Sequence, residues 1–283
     1  MLKDIREVTD AQEYADELKY RWTSLLSYRY IGRNHSALNT GEVDNTVTLR
    51  HDMRNAAGGL LVSPLSITSP EGGGRSDLHA VPNPVIHSCQ ILDPAYDVKR
   101  IEVVQAEVLK EGQRMDFSRS KIVDADHPDR VIAFTEGQGV SIGTPPEGLQ
   151  KMDEAKIEVV DSPDLPPLWE VFGARRRSDG HWELPELSVE FASPDAALHI
   201  GPQHIVLETA AIELAAELTG TDRLQMQAWH VMFLARGKIG PFRVDGEAVK
   251  GSDGRVGVRL LLADEGNADR AITSASAVMA VVD

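Results

Sequence analysis

The sequence predicts an α+β protein in which one module, a helix packed on an antiparallel β-sheet, occurs twice. The evidence is a set of matches between distant segments. They are NTVTLRHDMRNAAGGLL (45–61) with LSVEFASPDAALHIGPQ (187–203), EVLKEGQR (107–114) with EAVKGSDGR (247–255), and KIVDADHPDRVIAF (121–134) with LLLADEGNADRAIT (260–273). The offset is 142 at the first match, where Gly59 meets Gly201, and 140 at the last, where Asp129 meets Asp269. Because the order is kept at a nearly constant offset, we expect a tandem duplication.

The matches divide the chain into four parts. Residues 1–37 are an N-terminal helical extension, 38–144 the first copy, 145–181 a linker and 182–283 the second copy. The linker is assigned from its Pro, Gly and charged residues. The extension is assigned from apolar residues at helical spacing, which are Ile5, Val8, Tyr14, Leu18, Trp22, Leu25 and Leu26.

Each copy is expected to run as a short strand, a loop, a helix and then four strands. The strands are predicted from apolar and polar residues that alternate between turn residues, a pattern typical of an antiparallel sheet with one solvated face. In the first copy they are VIHSCQILD, RIEVVQAEVLKEG, MDFSRSKIVDAD and VIAFTEGQGVSI. In the second copy they are LQMQAWHVMFLA, PFRVDGEAVK, VGVRLLLADE and AITSASAVMAVV.

The second-copy helix, LHIGPQHIVLETAAIELAAELTG (198–220), contains a carboxylate on its apolar face. On a helical wheel Glu208 points with the Leu, Ile and Ala side chains, whereas Glu213 and Glu217 lie on the opposite face. A buried carboxylate is either paired or has a raised pKa, and both conditions are common at functional sites. Glu208 is therefore the leading candidate for a functional residue. In the first copy, Pro64 is expected to shorten or kink the helix.

Composition limits the class of function. The 283 residues carry a net charge of −15 and a single cysteine, Cys89. The charge argues against general binding to nucleic acid or anionic membranes, and one cysteine excludes an internal disulfide or a cysteine metal cluster. No apolar run is long enough to span a membrane, and the N-terminus has no signal-peptide core. We therefore expect a cytoplasmic protein without nucleic-acid or membrane partners.

This order of elements resembles the hotdog fold in its tandem, double form, an intrachain pseudo-dimer in which each antiparallel sheet wraps a long helix. The resemblance is to acyl-CoA thioesterases of the phenylacetate-pathway and 4-hydroxybenzoyl-CoA type. Those families carry His-Gly-Gly at the helix start and an Asp or Glu seven residues after the second Gly. Here His199, Gly201 and Glu208 stand at those places. In the first copy Gly59 is kept, but Ser66 takes the place of the carboxylate.

The resemblance implies hydrolysis of an acyl-CoA or acyl-carrier thioester at a site between the two hotdogs, with no cofactor and no metal. Glu208 would act as general base or nucleophile opposite the Gly58 and Gly59 amides, which would hold the oxyanion. His51 or Asn55 would orient the carboxylate. The tandem chain could also pair as a homodimer, as members of the family do.

Further residues are assigned to substrate binding. A second composite site would join Ser66 with Gly201 and His199, and it lacks a base, so one active site per chain is expected. His204 lies one turn before Glu208 on the same side of the helix. Arg236 and Lys238, in the turn after a strand, are candidates for contacts with the CoA phosphates.

Two other functions fit the same fold. One is a hotdog enoyl-CoA hydratase or dehydratase, for which His204 near Glu208 would supply the second group. The other is a non-catalytic acyl-CoA or acyl-carrier binding module, in which Glu208 is a remnant.

Overall fold

The computed structural model describes residues 2–32, 46–69, 81–112, 115–148 and 159–282. Five α-helices and eleven strands lie in these ranges. The helices are α1 (Ala11–Ser24), α2 (Leu26–Arg29), α3 (Val62–Thr68), α4 (Leu168–Val171) and α5 (Ile200–Thr219). The strands are β1 (Thr46–Thr48), β2 (Val81–Ile91), β3 (Arg100–Glu111), β4 (Met115–Asp124), β5 (His127–Ile142), β6 (Arg175–Arg176), β7 (Trp182–Leu184), β8 (Leu224–Phe233), β9 (Phe242–Lys250), β10 (Val256–Asp264) and β11 (Arg270–Val281).

All eleven strands belong to one antiparallel sheet, in the order β1-β3-β4-β5-β2-β8-β11-β10-β9-β7-β6. Strands β1 to β5 occupy one half of it. At the other edge lies β6, and the strands inside it run in the order β7, β9, β10, β11 and β8. This order corresponds strand by strand to β1, β3, β4, β5 and β2. The halves meet where β2 pairs with β8, with Ser88 opposite His230. One internal order therefore occurs on both sides of a central seam.

The helix of the second half, α5, is long, and a capping residue defines each of its ends. His199 is the N-cap and accepts the Gly201 N–H through its side chain, and Gly220 ends the helix in the left-handed conformation at φ 76°. Both faces of the first half of α5 are buried, so this helix forms the centre of a hydrophobic core that joins the two halves. Its observed bounds lie within two residues of the predicted segment.

The helix of the first half differs from the expectation of two long helices. In the described residues α3 has seven residues, and residues 70–80 lie outside the description. Pro64 does not break α3, because it sits in the first turn, where its missing N–H has no helical partner to lose. A short helix ahead of β2, a central strand of the sheet, replaces the expected long one.

The backbone also corrects the alignment of the copies at the helix starts. Isolated bridges join Arg54 to Leu60 in the first half and Ala192 to Leu198 in the second, 138 positions later. This offset pairs Pro64 with Pro202 and Ser63 with Gly201, rather than Gly59 with Gly201. The strand of the second half that is equivalent to β1 is β7, upstream of the 187–193 segment that the repeat alignment had matched to β1.

The N-terminal extension packs on the second half. The Ile5 N–H donates to the Pro194 carbonyl at 3.0 Å, and the Leu26 N–H donates to the Glu190 carbonyl at 3.0 Å. A small apolar cluster lies under α1, separate from the main core. Among the described residues, no helix combines the length and the apolarity that crossing a bilayer requires.

Candidate active site

The Glu208 carboxylate is buried between the two halves and bound by the start of α3. Oε1 accepts the Val62 N–H at 2.6 Å, and Oε2 accepts the Ser63 N–H at 2.8 Å. The Ser63 hydroxyl donates to Oε2 at 2.6 Å. A side chain of the second copy is thus held by a helix start of the first.

The start of α3 suits a carboxylate for reasons visible in its sequence. The first N–H groups of a helix have no intrahelical acceptor and carry the positive end of the helix dipole. Leu61, the N-cap, has no side-chain acceptor to offer them. Pro64 has no N–H, so the free donors of the first turn are those of Val62 and Ser63. Both donate to Glu208, because the free N–H groups at a helix N-terminus form a binding site for an anion.

Burial raises the pKa of Glu208 to about 7, although the hydrogen bonds from Ser63 and the Val62 amide act in the opposite direction. The side chain is only 3% exposed. A carboxyl group with this pKa is both ionised and protonated in comparable amounts near neutrality, which suits general acid–base chemistry.

A cavity of about 400 Å³ opens beside this carboxylate. Most of its wall is apolar, as in ligand pockets generally. The apolar residues are Ala56, Leu61, Pro167, Leu168, Trp169, Trp182, Ile205, Ile212 and Ala216. The polar ones are Asp52, Arg54, Asn55, Ser63, Glu208, Thr209, Glu213 and Asp222.

Part of the cavity wall comes from the segment that the sequence assigns to the linker. Trp169 lies on α4 and packs edge-on against Trp182, with ring centroids 5.3 Å apart. The Trp182 Nε1–H donates to Glu213 on α5 at 2.5 Å, which fixes the pair against the central helix. The composition of this segment predicts a linker. It does not predict that the segment forms part of a cavity wall.

The Gly58 and Gly59 amides do not face Glu208, which corrects the predicted pairing. The Gly58 N–H donates to the Asn55 carbonyl at 2.9 Å, and the Gly59 N–H donates to Asn55 Oδ1 at 3.0 Å. Gly58 has a φ of +86°, which favours glycine, and a side chain at Gly59 would collide with Gln225. Both glycines therefore serve the turn that precedes α3. Asn55, which orders this turn, does line the cavity.

His51 is also displaced from its predicted position beside the carboxylate. Its side chain is 64% exposed, and its Nδ1 lies 2.9 Å from an Asp161 carboxylate oxygen. The His51 N–H donates to the same Asp161 side chain at 2.9 Å. The residue begins the short 3₁₀ turn His51–Met53, and its ring contacts Asp161 in the linker segment.

Ser66 and His204 lie in the core rather than on the cavity wall. The Ser66 hydroxyl lies 3.0 Å from His87 Nε2, and His204 Nδ1 accepts the Trp229 Nε1–H at 3.1 Å. Ser66 and His204 are fully buried and occupy equivalent positions at the 138-residue offset. Burial lowers the pKa of His204, so its ring is neutral. The predicted substrate contacts of these two residues are replaced by contacts with core side chains of their own halves.

His199 and Gly201 lie at the start of α5, where the N-terminal extension covers them. His199 Nδ1 lies 2.9 Å from the Ser27 hydroxyl and accepts the Gly201 N–H at 3.1 Å. A Cβ atom added to Gly201 would lie 2.7 Å from Ser27 Cβ. The Tyr28 ring packs edge-on against His199 at 5.3 Å. The start of α5, equivalent to that of α3, is therefore covered by Ser27 and Tyr28 of the extension instead of binding a carboxylate.

Arg236 and Lys238 are engaged with Asp195 instead of being available for phosphates. The Arg236 Nε–H donates to Asp195 Oδ2 at 2.8 Å, and its Nη2 donates to Oδ1 at 2.6 Å. The Lys238 ammonium donates to the Asp195 carbonyl at 2.6 Å. Burial raises the pKa of Asp195, but Arg236, Ser193 and Lys238 together outweigh it, so the pKa lies below its usual value. These residues brace the loop before α5.

Two features of this site were missed from the sequence: Ser63 and the linker wall. Ser63 stands directly before Pro64, inside the expected first-copy helix, and a Ser-Pro pair is itself a signal for a first turn. That signal locates the helix start but not the carboxylate that reaches it from a distant segment.

Burial of Glu208 predicts that stability depends on pH. The pKa of about 7 in the folded protein lies above the ordinary value of 4.5, so the folded state binds the proton more tightly than the unfolded chain. The resulting stabilisation is complete below pH 4.5 and is lost as the pH rises through 7. Relative to Glu208→Gln, the wild-type free energy of unfolding should fall by roughly 2–3 kcal/mol over this interval. Urea unfolding at several pH values measures it, and a constant difference would contradict the raised pKa.

No protein-family model and no curated protein sequence matches the chain. Solved structures do match it over most of its length. A tesB protein of Mycobacterium avium subsp. paratuberculosis is 15% identical, with a TM-score of 0.54, over 86% of this chain and 95% of the other. An acyl-CoA thioesterase II, TesB2, of Mycobacterium marinum is 14% identical, with a TM-score of 0.55, over 87% of this chain and 96% of the other.

A third structure names the fold. A protein of unknown function with a hot dog fold from Alicyclobacillus acidocaldarius is 11% identical, with a TM-score of 0.52, over 84% of this chain and 92% of that one. At such identities the likeness concerns the fold. The chain has the hotdog fold, as the resemblance in its sequence implied.

Proposed function

We propose that this protein is an acyl-CoA thioesterase with one composite site per chain and Glu208 as its general base. The main support is the position of the Glu208 carboxylate of the second copy. It is buried, it is held by the α3 start of the first copy, and it lines a mostly apolar cavity of about 400 Å³. The name of one structure with this fold, an acyl-CoA thioesterase II, agrees with the proposal.

The proposed architecture is a tandem double hotdog that forms an intrachain pseudo-dimer. The same strand order on both sides of the β2–β8 seam supports it. The N-terminal extension (1–37), the copies (38–144 and 182–283) and the linker (145–181) follow from this organisation.

In the proposed reaction Glu208 takes a proton from a water molecule, and the hydroxide attacks the thioester carbonyl. The C–S bond of the tetrahedral intermediate then breaks. The departing thiolate receives the proton from Glu208, so the products are a carboxylic acid and free CoA or carrier thiol. An apolar cavity around the carboxylate excludes competing water and holds the acyl group.

The developing oxyanion needs hydrogen-bond donors, and the cavity wall offers two side chains. Arg54 uses three of its five N–H groups on the Gly58, Ala95 and Val98 carbonyls. Asn55 donates one of its two Nδ2–H groups to Gln225 Oε1 at 3.1 Å. Within the described residues the other N–H groups of both side chains remain available to a substrate, and donors of this kind typically contribute about 10²–10³ in rate.

The hydratase alternative has less support. It requires a histidine beside Glu208 in the cavity, and His204 instead accepts the Trp229 Nε1–H inside the core. Thiol release distinguishes the two reactions, because a hydratase leaves the thioester intact.

The test is thiol release from short, long and aromatic acyl-CoAs by the wild type and by Ile212→Trp. Ile212 lines the cavity, so an indole there should fill it and lower kcat/KM by at least tenfold on every substrate that the wild type hydrolyses. Leu218→Trp on the same helix is the control, because Leu218 is 44% exposed and lies outside the cavity wall. Absence of thiol release across the whole panel, or equal rates in all three proteins, would exclude the proposal.

A further inference from the structure

The first turn of α3 directs every polar donor it has at one acceptor. Its two free backbone N–H groups and its one hydroxyl, that of Ser63, all donate to Glu208, at distances between 2.6 and 2.8 Å. The hydroxyl is the only one of the three that belongs to a side chain. Ser63 is 1% exposed, so bulk water does not compete for this contact.

The second copy provides an internal comparison for Ser63. Gly201 occupies the equivalent position at the start of α5, in front of Pro202 as Ser63 stands in front of Pro64. Its N–H donates to His199 Nδ1 at 3.1 Å, and no carboxylate of the described residues accepts from it. The hydroxyl is therefore present at the helix start that meets the carboxylate and missing at the one that does not.

A hydroxyl donor acts on a carboxylate in two ways. It favours the ionised form, since a protonated carboxyl accepts the same hydrogen bond less strongly. It also fixes the orientation of the carboxylate, because Oε2 accepts the hydroxyl together with the Ser63 N–H while Oε1 accepts the Val62 N–H. Burial works against ionisation at this position, so donors to the charged form decide how much base is present near neutral pH.

The other ionisable groups near Glu208 are either uncharged or share only the cavity wall with it. The Cys89 thiol on β2 and the His204 ring on α5 are both uncharged in the core, where burial raises the pKa of the thiol and lowers that of the ring. The charged groups that share the cavity wall with Glu208 are Asp52, Arg54, Glu213 and Asp222. Asp52 is paired with Arg50 at 3.0 Å, and Glu213 with Arg176 at 3.0 Å.

We propose that the Ser63 hydroxyl is the positioning group that keeps Glu208 ionised and oriented for its role as base, an inference that rests on the proposed function. Ser63 acts through Glu208 and does not itself bond to the substrate. The effect of its removal should therefore depend on pH, and it should shrink to a few-fold, the contribution of orientation, where Glu208 is fully ionised.

The kinetic test is the pH profile of kcat/KM for the wild type, Ser63→Ala and Ser63→Thr. In Ser63→Ala the midpoint of the acid limb should move up by about one pH unit, because a hydrogen bond to a charged group is typically worth that much. The plateau at high pH should stay within a few-fold of the wild type. Ser63→Thr keeps the hydroxyl and should restore the midpoint.

A second measurement needs no activity. The pH midpoint of the stability difference between proteins with Glu208 and with Glu208→Gln reports the ionisation of this group. We expect that midpoint to rise when Ser63→Ala is introduced into both. Ser66→Ala is the matched control, since Ser66 is a buried serine on the same helix that contacts His87 instead of Glu208. If Ser63→Ala does not fold, Ser63→Gly places the residue of the second copy at the same position.

Two results would overturn the proposal. Unchanged midpoints in Ser63→Ala would show that the hydroxyl does not control Glu208. Loss of activity at every pH, with an acyl group located on Ser63 of the wild type by peptide mass mapping, would make Ser63 a nucleophile. Failure of the proposed function is separable, because a wild type without thiol release can still show the shift in the stability midpoint.

Discussion

Replacing Glu208 by Gln is expected to lower kcat/KM for thioester hydrolysis by about 10²–10⁴, the range attributed to a positioned general base. Gln has nearly the same shape but cannot take a proton from water. Its NH₂ group would also meet one of the N–H donors at the start of α3, where Glu208 accepts from Val62 and Ser63. Both effects act on the base itself, so the loss should appear mainly in kcat.

The wild-type profile adds a second check on Glu208. Below pH 7 the rate should fall about tenfold per pH unit as the carboxyl becomes protonated, because its pKa is about 7. Glu217→Gln is the matched control on the same helix, since Glu217 is 58% exposed and pairs with Arg176 outside the cavity. Wild-type rates in Glu208→Gln would mean that the base lies elsewhere.

Replacing Arg236 by Met should destabilise the fold by about 3–5 kcal/mol, the usual cost of leaving one member of a buried ion pair without its partner. Asp195 is 2% exposed and receives two hydrogen bonds from the Arg236 guanidinium. The same guanidinium donates to Asn83 Oδ1 at 2.6 Å, so it also ties the loop before α5 to β2 of the other half. Met preserves the length of the side chain but none of these bonds.

Urea unfolding measures this loss as a shift in midpoint at constant slope. Adding Asp195→Asn to Arg236→Met removes the stranded charge and should recover part of the stability. Arg259→Met is the surface control, because Arg259 is 80% exposed in its pair with Glu247 and exposed pairs contribute little. Equal midpoints for the wild type and Arg236→Met would show that the pair does not stabilise the fold.

Much of the architecture could be predicted from periodicity alone. Alternation placed β8 at 224–235, and the structure has Leu224–Phe233, while the helical wheel placed Glu208 on a buried face, where its exposure is 3%. These predictions succeed because side-chain direction follows directly from backbone period. They concern single elements and need no knowledge of what packs against them.

The partners of Glu208 could not be predicted, and the glycines show why. The repeat alignment matched Gly59 to Gly201 by identity, yet Gly59 accommodates Gln225 and Gly201 accommodates Ser27. Glycine was selected at the two positions by different neighbours, so identity did not signify equivalence. Pro64 and Pro202 share one physical role, in the first turn of a helix, and they mark the true correspondence.

The fit between Ser27 and Gly201 also constrains the order in which substitutions can accumulate. A side chain at Gly201 would overlap Ser27, so enlargement there is tolerated only after the Ser27 side chain has been lost or moved. Loss of Ser27 in turn deprives His199 of a hydrogen-bond partner. A substitution at either residue is therefore harmful if it occurs before a substitution at the other. The helix starts at equivalent positions in the two halves therefore differ, and this mutual dependence hinders any change that would uncover the start of α5.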